Sequence, residues 1–459
     1  MGYRIIALTV STALFIVFLD SSAFVVAIPA MARDFHVPAV NLNVAILANQ
    51  LSMTVLIPVG SLVAQRIGQR NAFVIALGIF IVGSLLCAMS NSLPTLVAAR
   101  ALQGAGGAVM MPVSRVLVVR SADKSELLNA LNWLLLPSII GPMMGPVLGG
   151  QLVTYANWHW IFLINIPVAL LGMIMTMVIV PDIRDDSERR VDAKGILLSG
   201  AAILTLMFGL DSAAHPRASW EPVALLGSGA VFLWLFLKHV RAAPSPVLDI
   251  SLMRIASFRH SLVAGAIFRT VIIASGFVVP LWFQLGMGMS AAKTGSILVI
   301  STMGVMVSRL VGARLARVVH PRNLAIGGGL LLVLAFFATA QMRPDWPLGA
   351  FYAVLGFQAI VFAVSTMVIN AVTYVDIEPG KVGAASNLYS MVQQLNMSLG
   401  VTLGVWLISG MRLVYSAGEH DARIYSASMM ILAVFALLAT AAASRLDEHS
   451  TGALRASRR

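Results

Sequence analysis

The chain alternates long apolar runs with short polar breaks from one end to the other. Each run holds roughly 20 mostly apolar residues, the length that an α-helix needs to cross a bilayer. The pattern therefore predicts fourteen transmembrane helices, numbered here as spans one to fourteen in chain order. Their predicted ranges are 4–30, 41–64, 72–91, 94–118, 128–153, 159–180, 195–213, 221–238, 260–285, 293–313, 323–341, 347–374, 384–411 and 424–443.

Composition supports a membrane protein and excludes several other classes. Of 459 residues 59% are hydrophobic and 11% are charged, whereas about 25% are charged in a typical soluble protein. The single cysteine, Cys87, cannot form an intramolecular disulfide. The sequence contains no Walker-type phosphate loop and no metal-ligand spacing, so we expect neither a cofactor nor a metal site.

The distribution of charge predicts how the chain is oriented. The formal net charge is +12, and the basic residues fall mainly in alternate loops, as the positive-inside rule requires. This placement accounts for the charge without a nucleic-acid partner. With an even number of spans, both termini are expected in the cytoplasm. Because the first apolar run continues past Asp20 to Met31, we interpret it as a span and not as a cleaved signal peptide.

Two longer polar connections, 181–194 and 241–259, lie on either side of spans seven and eight. Six spans precede this pair and six follow it. We therefore predict an all-α membrane protein with a 6 + 2 + 6 arrangement. The predicted parts are a six-helix bundle (1–180), an accessory hairpin (195–240), a second six-helix bundle (260–443) and a basic cytoplasmic tail (444–459).

Two ionisable residues lie deep in apolar spans and carry the chemistry. Asp20 is about eight residues from the outer end of span one, and Arg100 is about six from that of span four, so both lie roughly 9–15 Å deep. An ion pair that only fixes packing is one interpretation. The other is that Asp20 binds a proton, since burial favours the neutral acid and Arg100 favours the carboxylate. Gln103, three residues from Arg100, would share its helix face.

Span five contains glycines at helical spacing together with two prolines. Glycines at i, i+4 and i+8 form a smooth stripe that allows another helix to approach closely, and proline bends a helix. We expect this stripe to form a seam at which two bundles move. The residues concerned are Gly141, Pro142, Gly145, Pro146, Gly149 and Gly150.

Several motifs resemble those of the major facilitator superfamily. The turn between spans two and three resembles its cytoplasmic loop signature at Ser61, Gln65, Arg66, Gly68 and Arg70. The segment from Arg100 to Gly104 and the glycine stripe are similar to its span-four arginine and span-five antiporter motifs. The segments 19–29 and 158–167 resemble the signatures of its fourteen-helix drug:proton antiporters. In this chain Gln65 stands where the loop motif has aspartate, and Val25 where the span-one motif has asparagine.

This resemblance implies a proton-driven exporter of drugs or other lipophilic compounds in a bacterial inner membrane. It implies no enzyme activity and no cofactor, since the proton gradient drives transport. We expect a monomer whose partners are protons, a small-molecule substrate and lipid, with any periplasmic accessory protein left open. The alternative is an exporter of an anionic metabolite, whose negative group Arg269 would bind. Candidate cavity residues are Phe24, Asn49, Gln50, Arg269, Tyr389, Gln393 and Gln394.

Overall fold

A computed structural model describes residues 3–123, 126–181, 192–214, 220–242, 250–378 and 381–446. The described part of the chain is almost entirely helical and contains no β-strand. The helices are α1 (Tyr3–Asp34), α2 (Asn43–Ile67), α3 (Gln69–Ala88), α4 (Leu93–Ser121), α5 (Leu127–Tyr155), α6 (Trp160–Leu163), α7 (Asn165–Ile179), α8 (Ala193–Ala213), α9 (Glu221–Ala242), α10 (Ala256–Leu281), α11 (Ala291–Val318), α12 (Pro321–Ala340), α13 (Leu348–Val372), α14 (Val382–Tyr415) and α15 (Ala422–Ala443).

Within the described residues, fourteen helical segments are long and apolar enough to span a membrane, which confirms the fourteen predicted spans. Most helices extend a few residues beyond the predicted ends, because a helix continues past the apolar run into polar residues that face water. The sixth span is divided at Ile164 into α6 and α7. Pro167 lacks an N–H group, so the carbonyl of Leu163 has no helical donor at i+4, and α6 ends there.

The predicted loop between spans two and three is a single residue. Gly68 has φ 90° and ψ 149°, a conformation open almost only to glycine, and it joins the end of α2 directly to the start of α3. Both helices are therefore longer than predicted on this side. Of the loop motif, Gln65 and Arg66 lie in the last turn of α2 and Arg70 in the first turn of α3, while Ser61 lies one turn earlier in α2.

The chain divides into two compact units. The first comprises residues up to Met207 together with Leu225–Leu233 and Ser290–Ser296, and the second holds the remainder. The boundary passes through α8 and α9, and the domain bounds predicted from the sequence, including the hairpin at 195–240, stay a prediction. The 6 + 2 + 6 plan stays a prediction, and most of the tail predicted at 444–459 lies outside the described residues.

The two units repeat the same helix packing. In the first, α1 packs against α4 and α5, and α3 packs against α4 and α7. In the second, α10 packs against α13 and α14, and α12 packs against α13 and α15. Corresponding helices lie about 255 residues apart in the sequence, so the chain contains an internal structural repeat. Residues separated by about this distance therefore occupy equivalent positions in the two units.

The glycine stripe of α5 faces α1 within the first unit. A methyl group on Gly145 would lie 2.7 Å from the carbonyl oxygen of Leu19, which is too close for carbon and oxygen, and would also meet Ser22. Gly141 and Gly149 approach α1 in the same way, at Phe15 and at Ala23. The stripe thus brings α5 close to the helix that carries Asp20.

We expect Gly145→Ala to destabilise the protein, because the new methyl group meets backbone of α1 that cannot move aside. Gly78→Ala is the matched control, since a methyl at this α3 position meets nothing within 4 Å. The control should be neutral or slightly stabilising, because alanine favours a helix over glycine by about 1 kcal/mol. Thermal unfolding of both purified variants in detergent measures the difference. Equal melting temperatures would contradict the close approach.

Candidate functional site

Asp20 and Arg100 form a buried ion pair. Arg100 Nη1 donates to Asp20 Oδ2 at 2.5 Å, and the two side chains are only 3% and 2% exposed for the acid and the base respectively. The carboxylate comes from the middle of α1 and the guanidinium from the first half of α4. An ion pair removed from water to this extent needs further hydrogen bonds to offset the lost hydration.

Two amide side chains supply those hydrogen bonds to the carboxylate. Asn165 Nδ2 donates to Asp20 Oδ1 at 2.9 Å, and Gln103 Nε2 donates to the same oxygen at 3.1 Å. Oδ2 is bound by Arg100, so both carboxylate oxygens accept hydrogen bonds. The set of donors is arranged for a charged acid, because each one points an N–H group at it.

Gln103 connects the pair to a third helix. Its Oε1 accepts from Arg100 Nη1 at 2.5 Å, and its Nε2 also donates to Ser84 Oγ of α3 at 2.9 Å. Arg100 is thus held by Gln103 as well as by Asp20. The predicted grouping of Asp20, Arg100 and Gln103 is present in the structure, and the support from Gln103 exists while Asp20 is still paired.

Aromatic rings cover the guanidinium. The Arg100 Cζ lies 4.6 Å from the ring centroid of Phe24 and 5.9 Å from that of Phe162. The two rings contact each other edge to face, with centroids 6.2 Å apart. A cation over an aromatic face is attracted by the ring quadrupole, and the rings exclude water from the pair.

Sequence reasoning did not assign roles to Asn165, Ser84 or Phe162. Asn165 lies in the 158–167 motif, where it is a lone amide between apolar residues, and it is completely enclosed at the start of α7. A buried amide in an apolar span is a signal in itself, since it needs a partner. The sequence could have marked Asn165 as polar and buried, but it could not show that Asp20 is its partner.

The segment before α6 packs against the C-terminal end of α1. Trp158 Nε1 donates to Asp34 Oδ2 at 2.5 Å, and the His159 ring stacks on Trp158 with centroids 3.7 Å apart. Trp158 is buried in the protein. Burial lowers the pKa of His159, an effect that nearby Asp34 opposes.

The second unit repeats the polar framework without the charges. Gln358 Nε2 donates to Ser275 Oγ at 3.2 Å, and Gln358 Oε1 accepts from Thr339 Oγ1 at 2.9 Å. The sequence separations, 83 and 19 residues, are those of Gln103 from Asp20 and from Ser84. Ser275 thus occupies the place of Asp20, and Leu355, at the equivalent of Arg100, is apolar.

The glycines and prolines of α5 contact two different helices. Gly141, Gly145 and Gly149 face α1, as described above. A methyl group on Gly150 would meet the backbone of Ala291 at the start of α11, and one on Gly295 would meet the backbone of Pro146. All of these residues belong to the first unit. The predicted role of this stripe as a moving seam stays a prediction.

The residues predicted for a substrate cavity lie in different environments. Two are buried in helix packing: Phe24 covers Arg100, and Asn49 Nδ2 donates to the Arg100 carbonyl at 3.2 Å. Gln50 and Gln394 are half-buried, and Gln393 is exposed. Arg269 and Tyr389 contact each other and Asn370 in the second unit. The assignment of these residues to a substrate surface stays a prediction.

The structure is that of a polytopic helical membrane protein, and its relatives define the class further. Residues 10–401 match the sequence profile of the family described as Major Facilitator Superfamily. The chain belongs to this family. It is therefore a multi-pass membrane transporter and not an enzyme.

Individual relatives are consistent with this assignment. The chain is 30% identical over 456 residues to "Probable transport protein HsrA" of Haemophilus influenzae, covering 99% of this chain and 98% of the relative. It is 34% identical to "Putative multidrug resistance protein MdtD" of Shigella flexneri, over 88% of this chain and 84% of the relative. The solved nucleoside transporter NupG has the same fold, with a TM-score of 0.65 and 14% identity over 97% of this chain and 99% of NupG.

Removing one partner of the ion pair should destabilise the protein more than removing both partners. Arg100→Gln leaves the buried carboxylate without its cation, and loss of one partner of a buried pair typically costs about 3–5 kcal/mol. The double variant Asp20→Asn, Arg100→Gln has no buried charge and should recover most of the lost thermal stability. Arg115→Gln, at an exposed position of the same helix, is the control. A double variant no more stable than Arg100→Gln would contradict the pairing.

A double-mutant cycle tests the hydrogen bond between Asn165 and Asp20. Asn165→Ala should lower stability by about 1.5–3 kcal/mol, since a hydrogen bond to a charged group is lost. In an Asp20→Asn background the same change should cost less, because the acceptor is no longer charged. Denaturant unfolding of the four proteins gives the coupling energy. Additive effects of the two changes would show that the contact is energetically unimportant.

Proposed function

We propose that the protein is a proton-coupled exporter of drugs or other lipophilic compounds, and that Asp20 is the group that binds the proton. The observation that carries this proposal is the buried pair of Asp20 with Arg100, at 2.5 Å. A charged acid inside a membrane protein is costly and commonly serves transport. Relatives named for multidrug resistance support the choice of cargo.

The surroundings of Asp20 suit a group that alternates between two protonation states. With Asp20 charged, Arg100, Gln103 and Asn165 donate to it. With Asp20 neutral, Arg100 retains Gln103 Oε1 and the face of Phe24 as partners. The Arg100 guanidinium therefore keeps two interactions when Asp20 takes up a proton. These interactions lower the free-energy cost of the state in which Asp20 is neutral.

Proton binding would act on transport through helix packing. Asp20 links α1 to α4 by Arg100 and to α7 by Asn165, so neutralising it weakens two interhelical contacts at once. The two halves of such transporters are expected to rock around a substrate bound near the bilayer midplane. The close contact of α5 with α1 would carry the movement of α1 to the rest of the first unit.

The energy of one proton restricts the cargo. A proton gains about 2.3 kcal/mol from 100 mV and about 1.36 kcal/mol from one pH unit. Exchange of one proton for a monocation moves no net charge, so only the pH term remains. A dication would have to leave against the voltage. We therefore expect neutral, monocationic or anionic cargo. This expectation follows from an exchange of one proton per transport cycle, because coupling is assigned to one acid, Asp20.

The setting of the protein follows from the same proposal. The positive-inside pattern favours cytoplasmic termini, and a bacterial inner membrane supplies the proton gradient. No cofactor is invoked, because the gradient supplies the energy. We propose a functional monomer, and accessory partners are not part of the mechanism.

Asp20→Asn should abolish proton-driven export while leaving the protein folded, since asparagine keeps the shape of the side chain but cannot titrate. The variant is reconstituted in vesicles with an imposed pH gradient, and accumulation of a panel of lipophilic compounds is measured. Asp123→Asn, an exposed acid after α4, is the control and should export normally. Asp20→Asn that accumulates cargo as strongly as the wild type would exclude Asp20 as the coupling group.

A further inference from the structure

Arg269 is a buried cation that forms no ion pair with any acid among the described residues. It lies in the middle of α10 and is 9% exposed. Within the described part of the chain no carboxylate forms an ion pair with it, in contrast to Arg100. A buried charge without a counter-charge is expensive, so this position calls for an explanation.

The partners of Arg269 are neutral and lie on one side of the guanidinium. Nη2 donates to Asn370 Oδ1 at 2.6 Å and to the hydroxyl of Tyr389, which itself donates to Asn370 Oδ1 at 2.5 Å. The Cζ atom lies 5.0 Å from the ring centroid of Tyr389. Nη1 lies beside Gly265, where a methyl group would be only 3.1 Å away. Nη1 and Nε make no hydrogen bond to the described residues.

The internal repeat shows that packing does not require this cluster. The framework of Ser275, Thr339 and Gln358 recurs in both units. The positions equivalent to Arg269 and Tyr389 in the first unit are Leu14 and Leu134, two buried apolar residues, and the position equivalent to Asn370 is Arg115, which is exposed. The same helix arrangement is therefore built without a buried cation at this place. Arg269 is therefore not part of the repeated hydrogen-bond framework, and its burial costs free energy.

We propose that Arg269 binds an anionic group, a carboxylate in the first instance, on the exported compound. Tyr389 and Asn370 orient the guanidinium by holding Nη2, which leaves Nη1 and Nε as donors for the anion. Guanidinium and carboxylate match in geometry and form strong charge-assisted hydrogen bonds. The inference rests on the proposed export function and narrows its cargo to lipophilic acids.

The charge balance of such an exchange favours export. A proton entering and a monoanion leaving together move two positive charges inward. The membrane potential then drives export in addition to the pH gradient. For a neutral analogue only one charge moves, so an imposed inside-negative potential should accelerate the acid more than the analogue.

Binding without any gradient tests the site separately from proton coupling. The probes are three pairs of an acid and its neutral amide: benzoate with benzamide, 1-naphthoate with 1-naphthamide, and decanoate with decanamide. Affinities are measured calorimetrically on the full-length protein in phosphatidylcholine nanodiscs. The variant is Arg269→Gln, and Arg309→Gln, an exposed arginine on α11, is the matched control.

We expect the wild type and Arg309→Gln to bind the acid of at least one pair at least about tenfold more tightly than its amide. Arg269→Gln should lose that preference, as a lost charge-assisted hydrogen bond predicts. Arg269→Lys, which keeps the charge but not the fork of donors, should retain part of it. No acid preference in the wild type, or an unchanged preference in Arg269→Gln, would overturn the proposal.

A second arm distinguishes a soluble acid from a lipid headgroup. Nanodiscs containing phosphatidylglycerol should leave the affinity for the acid unchanged. Competition by this anionic lipid that disappears in Arg269→Gln would identify a headgroup as the occupant and overturn the assignment to cargo. Export by Asp20→Asn is measured separately from binding. Normal export by this variant would exclude proton coupling through Asp20, whereas the binding result for Arg269→Gln decides the anion site.

Discussion

The contact on which the first unit depends is the ion pair between α1 and α4. Burial gives each of the two charges a large desolvation penalty if it is left unpaired. The surrounding residues therefore have to stabilise both the acid and the base. Asn165 and Gln103 donate to the acid, Gln103 and two phenylalanine rings hold the base, and Ser84 fixes Gln103. Four helices, α1, α3, α4 and α7, thereby meet at one carboxylate. A change in the charge of this carboxylate therefore alters interactions of all four helices.

Much of the architecture follows from the sequence, because apolar length and loop charge are local properties. The fourteen spans were predicted correctly, and matching depth was enough to suggest that Asp20 meets Arg100. The break at Ile164 and the one-residue turn at Gly68 were missed, since each depends on a backbone hydrogen bond or dihedral that hydropathy does not encode. Asn165 was missed for another reason: which buried amide faces which acid is decided by helix rotation, and that is a tertiary property.

Arg269 and Arg100 are both buried arginines, but their interaction partners differ in charge. Arg100 has a carboxylate, an amide and two rings, so its charge is satisfied inside the protein. Arg269 has an amide oxygen and a tyrosine, both neutral. In the sequence both are single arginines in apolar spans, and only the arrangement of neighbours separates a buried ion pair from a buried cation whose hydrogen-bond partners in the described residues are neutral.

The repeated framework also has an evolutionary reading. Two related halves that share a glutamine, a hydroxyl and their spacing have the signature of an ancestral duplication followed by divergence. Ser275 and Leu355 stand where Asp20 and Arg100 stand in the other half, so two substitutions separate the neutral copy from a charged one. The halves differ in charge: the first contains the buried pair of Asp20 and Arg100, and the second contains Arg269 on α10, six residues before Ser275.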